Sequence, residues 1–249
     1  MGIINNKGDV ILPLEYIYVR HFDNGFGIIQ GQDSLLGFTD KTGKVIKPEY
    51  ENVENFNGWK NALVSKHNKF GVINSDGKLI VPIEYDFIDL ENERRGICII
   101  KKGEKYGLMN SKGVFIKAEY EWAERIGDEY FILKKNGKLG LAGKKGIILN
   151  TEYENIKILD SKHFIVKING KYGVINAKGK YKVEAAYDDI ERLYSSDFPS
   201  EISKVVLLFY KEGKVGIIEK KSWKIILKPQ YEFIGCKHLE FGYIPKVAD

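Results

Sequence analysis

Apolar residues in this chain fall into short runs separated by polar turns, and the runs are too short and too regular for helices. Ala62-Leu63-Val64, Cys98-Ile99-Ile100, Phe131-Ile132-Leu133, Phe164-Ile165-Val166 and Leu207-Leu208-Phe209 are continuous apolar stretches. Runs of this length bounded by turn residues read as buried strands. Each is followed by a tight turn. Asn136-Gly137 and Asn169-Gly170 are hairpin signals, because a type I′ turn needs positive φ at both central residues. A second strand then begins at a glycine, as in Gly71-Val72-Ile73-Asn74. A second turn carries Gly a few residues past Asn or Asp, where a left-handed backbone is again required. A third strand such as Leu79-Ile80-Val81 follows, and Pro13, Pro48, Pro82 or Pro229 is expected to end it, since proline cannot donate to a ladder. The fourth strand is expected to begin at a tyrosine, as in Tyr85-Asp86-Phe87-Ile88. The segment Glu184–Leu193 is the best helical candidate, but it matches the tyrosine strand of its siblings.

The four-strand unit recurs seven times. Its leading glycines are Gly2, Gly37, Gly71, Gly107, Gly140, Gly173 and Gly216. A second glycine follows six residues later in six of them, at Gly8, Gly43, Gly77, Gly113, Gly146 and Gly179; the seventh has Ser222. Tyrosines follow the leading glycine by 13 to 15 residues, at Tyr16, Tyr50, Tyr85, Tyr120, Tyr153, Tyr187 and Tyr231. An apolar residue follows each tyrosine by three: Val19, Val53, Ile88, Ala123, Ile156, Ile190 and Ile234. A fixed period of this kind marks an array of one supersecondary unit. The whole chain, 1–249, therefore reads as a single all-β repeat domain of units about 34 residues long.

The order aromatic or apolar residue, Gly, two apolar residues, Asn or Asp, two residues, Gly, apolar run and Pro-x-Glu-Tyr resembles the bacterial WG-repeat family. The resemblance spans nearly the whole chain. It implies a β-repeat scaffold and no shared catalytic residue. The tryptophan that precedes the first glycine in that family is missing; Met1, Leu36, Phe70, Tyr106, Leu139, Tyr172 and Val215 stand there. If the slot belongs to the core, these are apolar substitutes of varied volume.

The two ends of the chain are complementary in register. Residues 1–5 read as a second strand without a first, and residues 241–249 as a first strand without a second. Lys66, Lys102, Lys135 and Lys211 each precede a leading glycine by five residues, and Lys246 would precede Gly2 by the same interval across a join. The expectation is a seven-repeat β-propeller-like ring in which the C-terminal strand completes the N-terminal blade, with Phe241–Val247 paired to Gly2–Asn5. Such closure removes exposed sheet edges. The alternative is an open superhelical stack of β-hairpin repeats.

Composition narrows the chemistry. The chain has 249 residues, 43% hydrophobic and 29% charged, which excludes disorder. Two cysteines exclude a disulfide scaffold. There is no long apolar run and no signal-like start, so a cytoplasmic protein away from membranes is expected. His21, His67, His163 and His238 share no ligand spacing, and neither a nucleophile motif nor a phosphate loop is present, so neither metal nor cofactor is expected. Acids flank Tyr50, Tyr85, Tyr120 and Tyr153. Facing carboxylates could serve a hydrolase, but a feature of most repeats reads first as part of the fold, with lysines as partners. Lysines crowd the first hairpin turn (Lys66, Lys69, Lys101, Lys102, Lys105, Lys138, Lys171 and Lys214 among them). They could attract a polyanion, although solubility accounts for them more simply, and nucleic acid is not the expected partner.

Departures from repetition are where function is expected. The segment Ile190–Lys204 is some nine residues longer than its siblings, and Leu90–Gly96 carries Arg94 and Arg95. The residues expected to contact a partner are Arg94, Arg95, Arg192, Tyr194, Phe198 and Glu201, since aromatic residues and arginine dominate protein contacts. The leading expectation is a monomeric, non-catalytic scaffold for a protein or peptide: an adaptor, inhibitor or immunity-type binder. The rivals are a carbohydrate or small-ligand receptor and a carboxylate-dependent hydrolase.

Overall fold

The computed structural model describes residues 1–20, 24–90, 96–193, 206–232, 234–236 and 245–246. They form strands, turns and loops, without a helix. Strands β1 (Ile3–Ile4) and β2 (Val10–Leu12) make a two-stranded sheet. Sheet I contains β3 (Tyr18–Val19), β4 (Phe26–Gln30), β5 (Leu36–Asp40) and β6 (Val45–Tyr50). Sheet II contains β7 (Asn52–Val53), β8 (Asn61–Lys66), β9 (Lys69–Asn74) and β10 (Leu79–Tyr85). Sheet III contains β11 (Phe87–Ile88), β12 (Cys98–Lys102), β13 (Lys105–Asn110) and β14 (Gly113–Tyr120). Sheet IV contains β15 (Trp122–Ile126), β16 (Tyr130–Lys135), β17 (Lys138–Gly143) and β18 (Gly146–Tyr153). Sheet V contains β19 (Asn155–Ile158), β20 (His163–Ile168), β21 (Lys171–Asn176) and β22 (Tyr181–Tyr187). Sheet VI contains β23 (Asp189–Arg192), β24 (Val206–Lys211), β25 (Lys214–Glu219) and β26 (Ile225–Tyr231). The last pair is β27 (Gly235–Cys236) and β28 (Pro245–Lys246). The described strand pairs are antiparallel, and strands follow chain order within each sheet. The chain divides into two compact units, Met1–Ala123 and Glu124–Asp249.

The sequence repeat and the sheet are offset by one strand. The strand after each tyrosine does not join its own unit. Phe87–Ile88 pairs with Lys101 and Ile100, and Asn52–Val53 pairs with Ser65 and Val64, so each begins the next sheet. It also starts two residues past the tyrosine in sheets I to VI, and four past Tyr231, not at it. The long segment after Ile190 consequently joins two neighbouring strands of one sheet, β23 and β24, and does not cross between sheets. The C-terminal strand repeats this pairing: Gly235 lies opposite Lys246 and Cys236 opposite Pro245. The expected pairing of that strand with Ile3–Ile4 is not among the described pairs; Ile3 and Ile4 pair with Leu12 and Val10. Residues 241–244 and 247–249 lie outside the described residues.

Strand β2 stops at Leu12, just before Pro13, as expected, but in sheets I, II and VI the third strand runs through its proline. Pro48, Pro82 and Pro229 sit inside β6, β10 and β26. In β10 the register jumps from Val81↔Val72 to Tyr85↔Phe70, a β-bulge that leaves Pro82 outside the ladder. The bulged backbone folds in over the leading glycine. A Cβ on Gly107 would lie 2.5 Å from the Ile116 carbonyl oxygen, and one on Gly37 would lie 2.4 Å from that of Ile46. The first repeat glycine is therefore fixed by close approach. The second is fixed by its backbone, as with Gly77 at φ 79° and Gly179 at φ 76°. The first hairpin turns behave as expected, with Asn136 and Gly137 at φ 52° and 73° and Asn169 and Gly170 at 50° and 75°.

The bulge also explains the narrow range of spacings to the tyrosine. Past it, the ladder resumes with the tyrosine directly opposite the residue before the leading glycine. The pairs are Leu36↔Tyr50, Phe70↔Tyr85, Tyr106↔Tyr120, Leu139↔Tyr153, Tyr172↔Tyr187 and Val215↔Tyr231. The slot that holds tryptophan in the WG pattern is thus a cross-strand partner of the tyrosine, where large apolar side chains stabilise a sheet.

Within each unit the core lies between successive sheets. In the first unit, Phe38, Ile46 and Tyr50 of sheet I pack with Ala62, Val64 and Ile73 of sheet II. Leu63, Val72, Val81 and Tyr85 of sheet II pack with Cys98, Ile100 and Met109 of sheet III. Alternate residues of β8 therefore face different neighbouring sheets. A strand buried on both faces must be apolar at every position. In the second unit Ile132, Leu141 and Tyr153 pack with Phe164, Val166 and Ile175, and Ile165 and Val174 pack with Leu207, Phe209 and Ile218. Tyr85, Tyr120 and Tyr153 are buried, as their recurrence implied. Each such side chain contributes roughly 1.5–3 kcal/mol by leaving water.

Candidate binding site

The recurrent carboxylates are consumed by the fold. Six of the seven repeat tyrosines are followed by an acid, which sits where the chain passes from one sheet to the next. Asp86 accepts from the Lys69 ammonium of its own sheet and from the Gly103 N–H (2.6 Å) in the first hairpin turn of the next. Asp188 does the same with Lys171 and the Glu212 N–H (2.6 Å). Glu154 accepts from Lys138 at 3.5 Å and from the Gly170 N–H at 3.2 Å. Glu51 accepts from the His67 N–H at 2.8 Å. Both central residues are left-handed in the turns at His67-Asn68, Asn169-Gly170 and Glu212-Gly213, whereas in the sheet III turn Gly103 alone is; in each case the acid satisfies a turn N–H. The Lys69 ammonium, aided by the Gly103 N–H, holds the Asp86 carboxyl below the usual range, and Lys171 and the Glu212 N–H do so for Asp188. The acid before the tyrosine also pairs across sheets: Glu49 with Lys66 at 3.1 Å and Glu84 with Lys102 at 2.7 Å. Burial, with Glu49 adjacent, pushes the Tyr50 phenol up to about 12. The lysines of the first hairpin turn are thus largely partners of these acids.

The second hairpin turns lie at the opposite end of the strands, and there too a common solution recurs. In sheets I, II and V the Asn or Asp that opens the turn accepts from two backbone N–H groups with its side chain, whereas in sheet III Asn110 accepts from the Lys112 N–H at 2.9 Å and in sheet IV Gly143 stands at that position. Asn74 caps Asp76 and Lys78, Asp40 caps Thr42 and Lys44, and Asn176 caps Lys178 and Lys180, at 2.8–3.0 Å. This Asx turn delivers the chain into the left-handed glycine.

Sheet VI builds this turn differently again. Glu219 replaces the capping Asn, and its longer side chain accepts instead from the Ser222 hydroxyl. The turn is one residue longer, closing with the Glu219 N–H on the Lys224 carbonyl. Trp223 takes the left-handed position at φ 59°. A bulky residue there is unusual and marks strain held by surrounding contacts. The contact is visible: the Trp223 ring lies 4.6 Å from the His163 ring, tilted 51°. His163 opens β20 of sheet V, and its Nδ1 lies 3.0 Å from both carboxylate oxygens of Asp160. Burial disfavours the Asp160 anion, but the Lys162 N–H and the His163 ring outweigh it and hold the carboxyl below its usual range. Arg192, at the end of β23, donates to the Ile158 carbonyl at 3.0 Å. Burial lowers the Lys220 pKa, Arg192 adds to this, and Asp160 opposes it. Asp160, His163, Arg192, Lys220 and Trp223 therefore form one cluster where sheets V and VI meet.

Of the six residues expected to contact a partner, Arg192 alone lies among the described residues. It is exposed and belongs to this cluster, but one of its donors is committed to Ile158. Arg94, Arg95, Tyr194, Phe198 and Glu201 lie outside the described residues. Sequence reasoning missed Asp160, His163, Lys220 and Trp223. A signal was present in Ser222, the single departure from the second repeat glycine, followed by a tryptophan. Among the described residues, no group of His, Cys, Asp and Glu is placed to hold a metal ion, and no helix is long and apolar enough to cross a membrane.

The family model described as "WG containing repeat" matches residues 1–34, 37–70, 70–106, 106–138 and 172–198. The chain belongs to this family. Matches to successive stretches each about one repeat long agree with the spacing of the tyrosines and with the sheets they close. No curated protein matches the chain. Among solved structures, it is similar to the computationally designed Ika8 protein at 9% identity and a TM-score of 0.29, over 94% of this chain and 82% of that one. It is also similar to a eukaryotic initiation factor at 11% identity and a TM-score of 0.36, over 90% and 81%. Scores this low carry no argument about this WG-repeat chain.

Proposed function

We propose that this WG-repeat chain is a non-catalytic scaffold that binds a protein or peptide in the bacterial cytoplasm, as an adaptor, inhibitor or immunity-type binder. The observation that carries the reading is the division of labour among its polar residues. The repeated carboxylates that a hydrolase would draw on are tied to lysines and turn N–H groups between sheets. The side chains that depart from the repeat gather instead on an exposed end of sheets V and VI that includes Arg192, which the long segment follows in the chain. An irregular, aromatic and cationic surface on a regular scaffold suits recognition of another chain.

The test uses the long segment itself. Replacing Asp197–Ser200 with a Gly-Ser turn is expected to leave stability within about 1 kcal/mol, because loop length is entropically inexpensive. Capture of partner proteins from the source organism's lysate, quantified by mass spectrometry, is expected to fall about tenfold or more, which is 1.4 kcal/mol. Equal capture by a folded variant overturns the reading.

A further inference from the structure

The cluster between sheets V and VI sits in an unbalanced field. Its segments are residues 159–163, 177–180 and 219–224 together with Arg192. They are contiguous: the Ala177 N–H donates to the Lys162 carbonyl at 2.7 Å, His163 stacks on Trp223, and Arg192 reaches Ile158. They carry seven basic side chains against two carboxylates. Both carboxylates are engaged, Asp160 by His163 and Glu219 by Ser222. Lys162, Lys178, Lys180, Lys221 and Lys224 are exposed, and no described carboxylate lies within ion-pairing distance of them. Elsewhere a lysine of the corresponding turn has a carboxylate partner: Lys44 in the turn of sheet I pairs with Asp76 in that of sheet II at 2.9 Å, and Lys144 in sheet IV pairs with Glu129 at 2.7 Å. Uncompensated like charges on neighbouring turns repel, and an anionic partner relieves that repulsion.

We propose that this patch docks an acidic segment of a partner protein, whose carboxylates are received by Lys178, Lys221 and Lys224 around the His163–Trp223 stack. The proposal rests on the scaffold reading and names the chemistry of the partner. A single-stranded nucleic acid fits less well. Base stacking needs an open aromatic face, whereas the Trp223 ring is only partly exposed, packed against His163 and the core of sheets V and VI. Asp160 would also face the phosphates.

The experiment measures fluorescence anisotropy of three labelled probes on the full chain: a short Glu/Ala peptide, the same peptide with Gln for Glu, and an oligothymidylate. The Glu/Ala peptide is expected to bind about tenfold or more tightly than the Gln peptide, to weaken as salt is raised, and to outbind the oligothymidylate. The variant Lys221→Glu/Lys224→Glu is expected to lose that binding about tenfold, while Lys112→Glu/Lys117→Glu, on exposed strand and turn positions of the first unit, keeps it. An unchanged thermal midpoint shows that the first variant is folded. Equal binding of the Glu and Gln peptides, no binding of either, an unaffected Lys221→Glu/Lys224→Glu variant, or preference for the oligothymidylate overturns the inference. Failure of the scaffold reading is seen separately, as partner capture that ignores the loop replacement.

Discussion

The second turns of sheets V and VI occupy the same register and solve it differently. In sheet V, Asn176 pairs opposite His163, caps its own turn twice and hands over to Gly179. In sheet VI, Glu219 pairs opposite Val206, cannot cap, and the left-handed position falls to Trp223. The first arrangement is the repeat at its least costly. The second places a bulky ring in a strained backbone, a state that persists when neighbouring contacts over-determine it. Here those contacts are His163 and the core of sheets V and VI. The difference teaches that the array's regular positions hold structure, whereas the exceptional turn assembles polar and aromatic chemistry absent from its sibling.

Breaking that comparison starts from the regular positions. Tyr153→Ala removes a buried ring between sheets IV and V and is expected to cost about 3 kcal/mol, read from the denaturant midpoint. Gly107→Ala forces a Cβ within 2.5 Å of a backbone oxygen and is expected to cost about 2 kcal/mol. Gly137→Ala meets nothing within 4 Å and carries only the left-handed penalty, about 1 kcal/mol. If Gly107→Ala and Gly137→Ala cost the same, close approach is not what holds the leading glycine.

The exceptional turn is expected to matter less to stability. His163→Ala removes one ring contact and the hydrogen bond to the exposed Asp160 carboxylate, and is expected to cost about 1–2 kcal/mol. A loss equal to that of Tyr153→Ala in the same assay would make the cluster a structural joint and erase the contrast between the two turns.

The smallest effect concerns the acids that link sheets. Asp86 and Asp188 have carboxyl pKa values lowered by Lys69 and Lys171 in the folded state. The unfolded chain then binds more protons through the window below the ordinary Asp value, so stability rises with pH there. The contribution is present above about pH 4 and lost as pH falls through the lowered folded values. Asp86→Asn/Asp188→Asn is expected to be slightly less stable than wild type at neutral pH, with the gap closing on acidification. Thermal midpoints across pH check this; a gap that does not change with pH removes charge from the explanation.

Much of the local architecture was legible beforehand. The turns at Asn136-Gly137 and Asn169-Gly170, the left-handed second glycines and the burial of Tyr85, Tyr120 and Tyr153 follow from steric and hydrophobic rules that act within a few residues. The rule about missing donors is local and predicts a strand end at the proline; the bulge that accommodates Pro82 depends on the partner strand. The candidate cluster was hidden for a related reason. Asp160, His163, Arg192 and Trp223 each have an ordinary surface reading on their own, and their meeting depends on how sheet V packs against sheet VI.

The amino-acid order by itself determined the repeat, the all-β class, the turn backbones and which runs are buried, since chirality, glycine freedom and apolar periodicity need no distant partner. Tertiary structure alone decided that the strand after the tyrosine begins the next sheet, that six of the repeat tyrosines stand opposite the residue before the leading glycine, and that His163 meets Trp223. These are choices among pairings that local propensity leaves nearly equal. They are settled when burying Tyr50 or Tyr85 between two sheets and satisfying the turn N–H groups with Glu51 or Asp86 favour one arrangement together.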